Sequence, residues 1–254
     1  MKITFTGTGT SQGVPVISCP CEVCHSTDVR DNRLRTSVWI ETADTSIVID
    51  AGPDFRQQML RYKVDRLDAV VFTHSHKDHI AGLDDIRAYN YFQQKAIDIY
   101  ATTETQEALR REYAYIFENG HYPGVPQINL HTIDGDHSFF VNEVELTPVK
   151  VKHYTMEVLG FRVNDFTYIT DANFIYPEEI SKINGSKHLV LNALRQEKHI
   201  SHYALHEAIE VAQSVGADHT YFTHISHQLG LHATVEEQLP KNIYLAYDGL
   251  EITL

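Results

Sequence analysis

The stretch Thr73-His74-Ser75-His76-Lys77-Asp78-His79 constrains this chain more than any other, because it sets four side chains of metal-ligand type within six residues. Leu67-Asp68-Ala69-Val70-Val71-Phe72 precedes it, a short apolar run of β-branched and aromatic type that reads as a buried strand. Ile80-Ala81-Gly82-Leu83-Asp84-Asp85-Ile86-Arg87 follows and reads as a turn entering a helix. The cluster therefore stands at the carboxyl end of a strand, where open α/β sheets bind ligands. Three imidazoles and a carboxylate at this spacing suit borderline divalent metals: zinc, manganese or iron.

The same event recurs along the chain. Ser37–Thr42 and Ser46–Asp50 alternate like the arms of a hairpin, and Asp50 ends its strand facing the histidine loop, where a carboxylate can orient a ligand. Asp50-Ala51-Gly52-Pro53-Asp54-Phe55-Arg56 then turns into a helix with Asp54 placed as its N-cap. Val144–Val151 is strand-like and delivers His153, and the hairpin of Phe161-Arg162-Val163 with Phe166–Ile169 delivers Thr170-Asp171. Thr220–Thr223 delivers His224-Ile225-Ser226-His227. Four strand ends bearing His or Asp predict convergence on one rim of a sheet.

The remaining segments are less telling. Gly7–Gly13 is a Gly-rich turn after a first strand; without a following Gly-Lys-Ser/Thr it reads as a plain loop beside the site. Thr105–Phe117 is helical, with Glu and Gln early and Arg in the middle. Tyr113, Tyr115, Phe117, Tyr122 and the Pro-Gly-Val-Pro of 123–126 fit a pocket mouth, a surface loop or a dimer contact equally well. His121, His131 and His137 have no ligand spacing and read as non-ligands.

The three cysteines are grouped as Cys19-Pro20-Cys21-Glu22-Val23-Cys24. An odd, tight trio without an export signal reads as a metal site, not a disulfide framework, and places the protein in the cytoplasm. Three thiolates need a fourth ligand to close a tetrahedral zinc site. His25 is adjacent but sterically awkward, which favours a distant histidine. At 254 residues, with 43% apolar and 22% charged residues, one domain spanning 1–254 is expected, with no membrane span. The net charge of −13 argues against a protein that grips long nucleic acid.

His74-x-His76-x-Asp78-His79, followed in order by His153, Asp171 and His224 and preceded by Asp50, resembles the metallo-β-lactamase superfamily. The implied fold is an α/β (layered α+β) αββα sandwich of two mixed sheets flanked by helices, with metals at one edge. Ile49–Gln58, Gly82-Leu83-Asp84-Asp85-Ile86-Arg87, the cysteine trio and Phe222-Thr223-His224-Ile225-Ser226-His227-Gln228 together resemble its PhnP phosphodiesterase branch, which cleaves cyclic phosphodiesters and is associated with carbon–phosphorus lyase pathways. By position, the resemblance implies that His74, His76 and His153 hold one catalytic metal. Asp78, His79 and His224 would hold the other, with Asp171 bridging. His227 would close a structural zinc with Cys19, Cys21 and Cys24. In the family, a histidine upstream of the last motif protonates the leaving oxygen. Counting back from His224 places that role on His202, with His199 and His206 close by. Relatives suggest a homodimer.

The residue types suit that chemistry. Two divalent metals (zinc or manganese) about 3.5–4 Å apart share a water, lower its pKa and hold the hydroxide in line with phosphorus. A carboxylate with two oxygens is a natural bridge at Asp171, and an imidazole at His202 can supply a proton near neutral pH. Asp78 belongs to the catalytic centre as a ligand, which unsuits it as a free base. The expected function is therefore a dinuclear-metal-dependent phosphodiesterase acting on small, cyclic or nucleotide-like diesters. The alternative is a tRNA 3′-processing nuclease of the tRNase Z type, although no long basic arm is evident. A glyoxalase II-type thioesterase fits the cysteine trio badly, a flavodiiron protein would need a carboxylate at His76, and a non-catalytic binding protein has no reason to keep every ligand position.

Overall fold

The computed structural model describes residues 1–118 and 124–254; His121, Tyr122 and Pro123 of the 123–126 turn lie outside the described residues. β1 (Lys2–Gly7), β2 (Ser37–Glu41) and β3 (Ser46–Ile49) form an antiparallel meander. β4 (Ala69–Val71), β5 (Ile97–Ala101) and β6 (Ile128–Thr132) then add in parallel. A second sheet begins with the antiparallel β7 (Phe139–Val141), β8 (Val144–His153), β9 (Met156–Val163) and β10 (Phe166–Tyr168), with β11 (Phe174–Ile175) on the other edge of β8. β12 (His188–Asn192), β13 (His219–Thr223) and β14 (Ile243–Leu245) continue it in parallel, and β15 (Glu251–Thr253) returns to β1. The result is a 7-stranded and an 8-stranded sheet.

Alternation along the strands makes these sheets the middle of a layered stack. Ile47 and Ile49 of β3 face Leu146, Phe161, Phe166 and Val190 of the second sheet, so the apolar inner faces close on each other. Val48 and Val70 point the other way, against Phe55 and Met59 of α1 (Phe55–Tyr62), Ile80 of α2 (Lys77–Ile80), Tyr89 of α3 (Arg87–Gln93), Leu109 of α4 (Thr103–Glu112) and Ile116 of α5 (Ala114–Phe117). On the far side, Leu189, Leu191 and Phe222 pack against Ile183 of α6 (Ile180–Ile183), Ala208 and Ala212 of α7 (Leu205–Val215) and Val235 of α8 (His232–Glu236). The stack is αββα. No helix among the described residues is long and apolar enough to cross a membrane.

Two local expectations change. Asp54 stands at the N-cap of α1 but makes no side-chain cap. Its carboxylate instead accepts from the Arg35 backbone at 2.8 Å and from the Arg35 guanidinium at 3.0 Å, because an ion pair outbids one amide. The 105–117 helix is two pieces, α4 and α5, broken at Tyr113, whose buried hydroxyl donates to Ile80 O at 2.7 Å. Tertiary anchoring overrides helix propensity there.

A buried network ties the chain's two ends together. The Arg33 guanidinium donates to Thr8 Oγ1 (2.8 Å), Ala246 O (2.5 Å) and His232 Nδ1 (3.0 Å), and Asp31 accepts from His232 N (2.8 Å). A ring that accepts from a guanidinium has to be neutral, and burial together with the Arg33 charge pulls His232 down to about 4. Because the unfolded chain then takes up this proton first, folding stability falls as pH drops from the ordinary histidine value toward 4, by up to ~3 kcal/mol. Urea unfolding across that range should show the slope in the wild type and a weaker one in His232→Asn. Identical slopes would refute the assignment.

Candidate metal centre

The His and Asp strand ends do meet, but not on the rim of one sheet. β4 brings His74, His76, Asp78 and His79 from the first sheet, while β8, β10 and β13 bring His153, Asp171 and His224 from the second. The site straddles the shared edge of the sandwich. Donor atoms of His74, His76 and His153 lie within 4.8 Å of one another, as do those of Asp78, His79, Asp171 and His224. Asp171 also groups with His153 and His202, so its carboxylate stands between the two clusters. His74 Nε2 and His76 Nδ1 approach to 3.0 Å. Asp171 Oδ2 is 3.3 Å from His79 Nε2, and its Oδ1 is 3.2 Å from His224 Nε2. Asp78 Oδ2 is 3.2 Å from His79 Nε2.

Three of the delivering residues adopt left-handed backbone: Asp50 (φ 66°), Asp171 (φ 56°) and His224 (φ 55°). That conformation is disfavoured for residues with a Cβ and is concentrated at functional sites. Here each strand ends by swinging its side chain over the sheet edge.

Asp50 is fully buried and supports the histidine loop directly. Its carboxylate accepts from His79 Nδ1 (2.7 Å), from Thr73 N (2.9 Å) and from the Thr73 hydroxyl (2.9 Å), while Thr73 Oγ1 also lies 2.9 Å from His74 Nδ1. One carboxylate thus orients two imidazoles, one through a threonine. The Ser201 carbonyl does the same for His153, accepting from its Nδ1 at 2.8 Å. Thr73, Ser201 and Asn192, which bonds both backbone groups of Ala172, escaped the sequence reading. Nothing in a lone Thr, Ser or Asn distinguishes it from a turn residue.

The electrostatics are those of a site built for cations. Burial alone would raise the Asp171 carboxyl, but the His224 and His79 imidazoles overcome it and hold it well below the usual range. Burial and the neighbouring His79 charge keep His74 neutral, the form that ligates metals. His79 Nε2 and both ring nitrogens of His224 are buried without a hydrogen-bond partner among the described residues. The carboxylates near His79 Nε2 are close enough to pair but are not aligned to accept from it. Converging imidazole nitrogens and carboxylates, several of the nitrogens buried without an aligned partner, fit divalent metals.

His202 is not on a surface helix. It lies in the loop before α7, is buried, and its Nε2 is 3.0 Å from Asp171 Oδ1. Its Nδ1 meets Ser201 Oγ at 3.0 Å and His199 Nδ1 at 3.2 Å. His199 is thus one step farther out, and His206 sits on α7 outside the donor groups. His131 and His137 pair with Asp98 and Asp134 and join no donor group.

Cys19, Cys21, Cys24 and His227 form a separate group, with His227 Nδ1 3.3 Å from both Cys19 Sγ and Cys21 Sγ. His25 turns away, its Nδ1 against Cys21 O at 3.1 Å. The His227 ring and the Cys24 amide draw the Cys21 thiol down to about 6, whereas burial and its thiol neighbours push Cys24 up to about 11. Three sulfurs side by side could all be thiolates only with a cation among them, and the Cys₃His donor set suits zinc. Cys21→Ser is expected to bind one metal fewer and to melt about 5–10 °C lower, as a loss of ~2–3 kcal/mol would produce at this size. Elemental analysis with calorimetry checks this, and an unchanged metal count would rule the site out.

This αββα sandwich, edged by two adjoining His/Asp donor clusters, has the architecture of the metallo-β-lactamases, and residues 45–225 match the model of the Beta-lactamase superfamily domain. The chain is 37% identical to a crystal structure described as a new diphosphatase from the PhnP family, with a TM-score of 0.93, covering 100% of this chain and 97% of that one. It belongs to the metallo-β-lactamase superfamily and is PhnP-like. Over 253 residues it is 38% identical to the Octanoyltransferase of Porphyromonas gingivalis, covering 99% of this chain and 51% of that protein. It is 28% identical over 173 residues to the Ribonuclease Z of Acaryochloris marina, covering 65% and 48% respectively. The chain thus spans about half the length of the curated relatives it matches.

Proposed function

We propose that the protein is a dinuclear-metal-dependent hydrolase of small phosphodiesters. The observation that carries the reading is the pair of donor clusters joined through Asp171, with buried histidine nitrogens that no described residue satisfies. His74, His76 and His153 would hold one divalent metal and Asp78, His79 and His224 the other, with Asp171 facing both; Cys19, Cys21, Cys24 and His227 would hold zinc. Bound at these residues, zinc or manganese would supply Lewis acidity toward phosphoryl oxygens and activate a water for attack on phosphorus.

The chain's own residues do the rest. Asp50, through His79 and Thr73, and Ser201, through His153, hold imidazoles of both donor clusters in place, so they need little reorganisation. His202, its Nε2 beside Asp171, is placed to hand a proton to the departing oxygen. Asp78 acts as a ligand and not as a base. A cytoplasmic location keeps the three thiols reduced. Homodimerisation is part of the same reading and is read by sedimentation.

A diphosphate linkage is the second reading, because the PhnP-family neighbour is described as a diphosphatase and attack at phosphorus serves either bond. Ribonuclease Z-like processing has the weaker support of the 28% match, and the −13 net charge opposes it. The test is metal content by elemental analysis, followed by turnover of bis(p-nitrophenyl) phosphate, a 2′,3′-cyclic nucleotide, a dinucleoside diphosphate, an octanoyl thioester and a precursor tRNA. Three metals per chain with cleavage of the small diesters is the expected result. Efficient trimming of tRNA, or a metal-loaded protein inert toward every phosphate ester, would overturn it.

A further inference from the structure

We infer that Asn192 is a positioning residue for the metal centre: its side-chain amide grips both backbone groups of Ala172 and thereby fixes the carboxylate of Asp171 between the two donor clusters. The inference rests on the assignment of Asp171 as a metal ligand proposed above.

Asn192 is the last residue of β12, a strand that carries no ligand itself. It is wholly buried. Its Oδ1 accepts from Ala172 N at 2.6 Å, and its Nδ2 donates to Ala172 O at 2.9 Å. The setting explains why an amide is needed. The parallel ladder between β10 and β12 ends at Tyr168 opposite Val190, with one more bond from Ile169 N to Val190 O. Beyond it the chain leaves the sheet, and Asp171 takes its left-handed turn at φ 56°. Without a strand partner, the buried N–H of Ala172 depends on Asn192, while its C=O takes the Asn192 amide alongside Tyr203 N, which donates at 2.8 Å. Only an amide side chain offers one donor and one acceptor side by side, so Asn192 stands in for the absent strand.

On its other side Asn192 is in register with Thr223, the residue before His224, and Ala193 N donates to Thr223 O at 3.0 Å. One residue therefore sets the spacing between Asp171 and His224, whose Oδ1 and Nε2 lie 3.2 Å apart. Supports that orient metal ligands are worth ~10–100-fold in metal affinity.

The test compares the wild type with Asn192→Leu, close in volume but without either bond, and Asn192→Ser, too short to make both. Affinity for Zn²⁺ and Mn²⁺ is measured by competition with a chromophoric chelator, and the Cys₃His zinc serves as an internal control. Both variants are expected to keep that zinc and to bind the catalytic pair ~10–100-fold more weakly. Wild-type affinity in the variants, with a melting temperature lowered equally in metal-loaded and metal-stripped protein, would overturn the inference and leave Asn192 a packing residue. If Asn192→Leu does not fold, Asn192→Ser decides by the same readouts. A wild type that holds no metal at the His/Asp clusters would instead sink the proposed function, so the two failures are distinguishable.

Discussion

Asp171→Ala is expected to give a folded protein whose phosphodiester turnover is slower by on the order of 10³-fold or more, since several kcal/mol of transition-state stabilisation is lost with the metal pair. The carboxylate lies between the clusters, 3.3 Å from His79 Nε2 on one oxygen and 3.2 Å from His224 Nε2 on the other, and among the described residues Asp78 joins only the group of His79 and His224, not that of His153. The fold should survive, because Asp171 itself belongs to none of the three apolar cores. Elemental analysis should show fewer metals at the His/Asp clusters while the Cys₃His zinc stays. Circular dichroism and kcat on a small diester complete the measurement. Cys21→Ser is the counterpart, losing stability and one metal before activity, and equal unfolding in both variants would end this division of labour.

His202→Ala is expected to lower kcat by ~10²–10⁴-fold on diesters whose leaving group is a poorly stabilised alkoxide, and far less when p-nitrophenolate departs. A good leaving group needs no proton, so the ratio between the two substrates isolates acid catalysis from general damage. The variant should keep its full metal content. This second readout matters because the donor atoms of His202 also group with those of His153 and Asp171. Loss of a metal would make His202 a ligand, and equal loss on both substrates would remove it as the acid. His199→Ala should be milder, since His199 reaches the centre only through His202 Nδ1.

Much of this was legible because it is local. Strand, histidine loop and helix follow one another without a break from Leu67 to Ile86, and the cysteine trio lies within six residues. Chemistry that depends on near neighbours survives in one dimension. What misled were places where a distant residue wins a local group. Asp54 reads as a cap until Arg35, 19 positions away, takes its carboxylate. The 105–117 helix reads as continuous until Tyr113 reaches back to Ile80. Convergence on one sheet rim was the natural reading of four strand ends, but the pattern of a strand does not say which sheet it joins.

By itself the sequence determined the donor residue types, their placement at the carboxyl ends of strands and the Cys₃ loop, because residue identity and strand periodicity suffice for these. Only the tertiary structure decided that two sheets share the site, how near Asp171 lies to each cluster, that His202 is a buried neighbour of that carboxylate, and that Thr73, Ser201 and Asn192 join Asp50 in bonding the segments that carry the donor residues. The physical reason is that orientation depends on hydrogen bonds between segments 20 to 50 residues apart, such as Asp50 with His79 and His153 with Ser201, and their partners are chosen by packing.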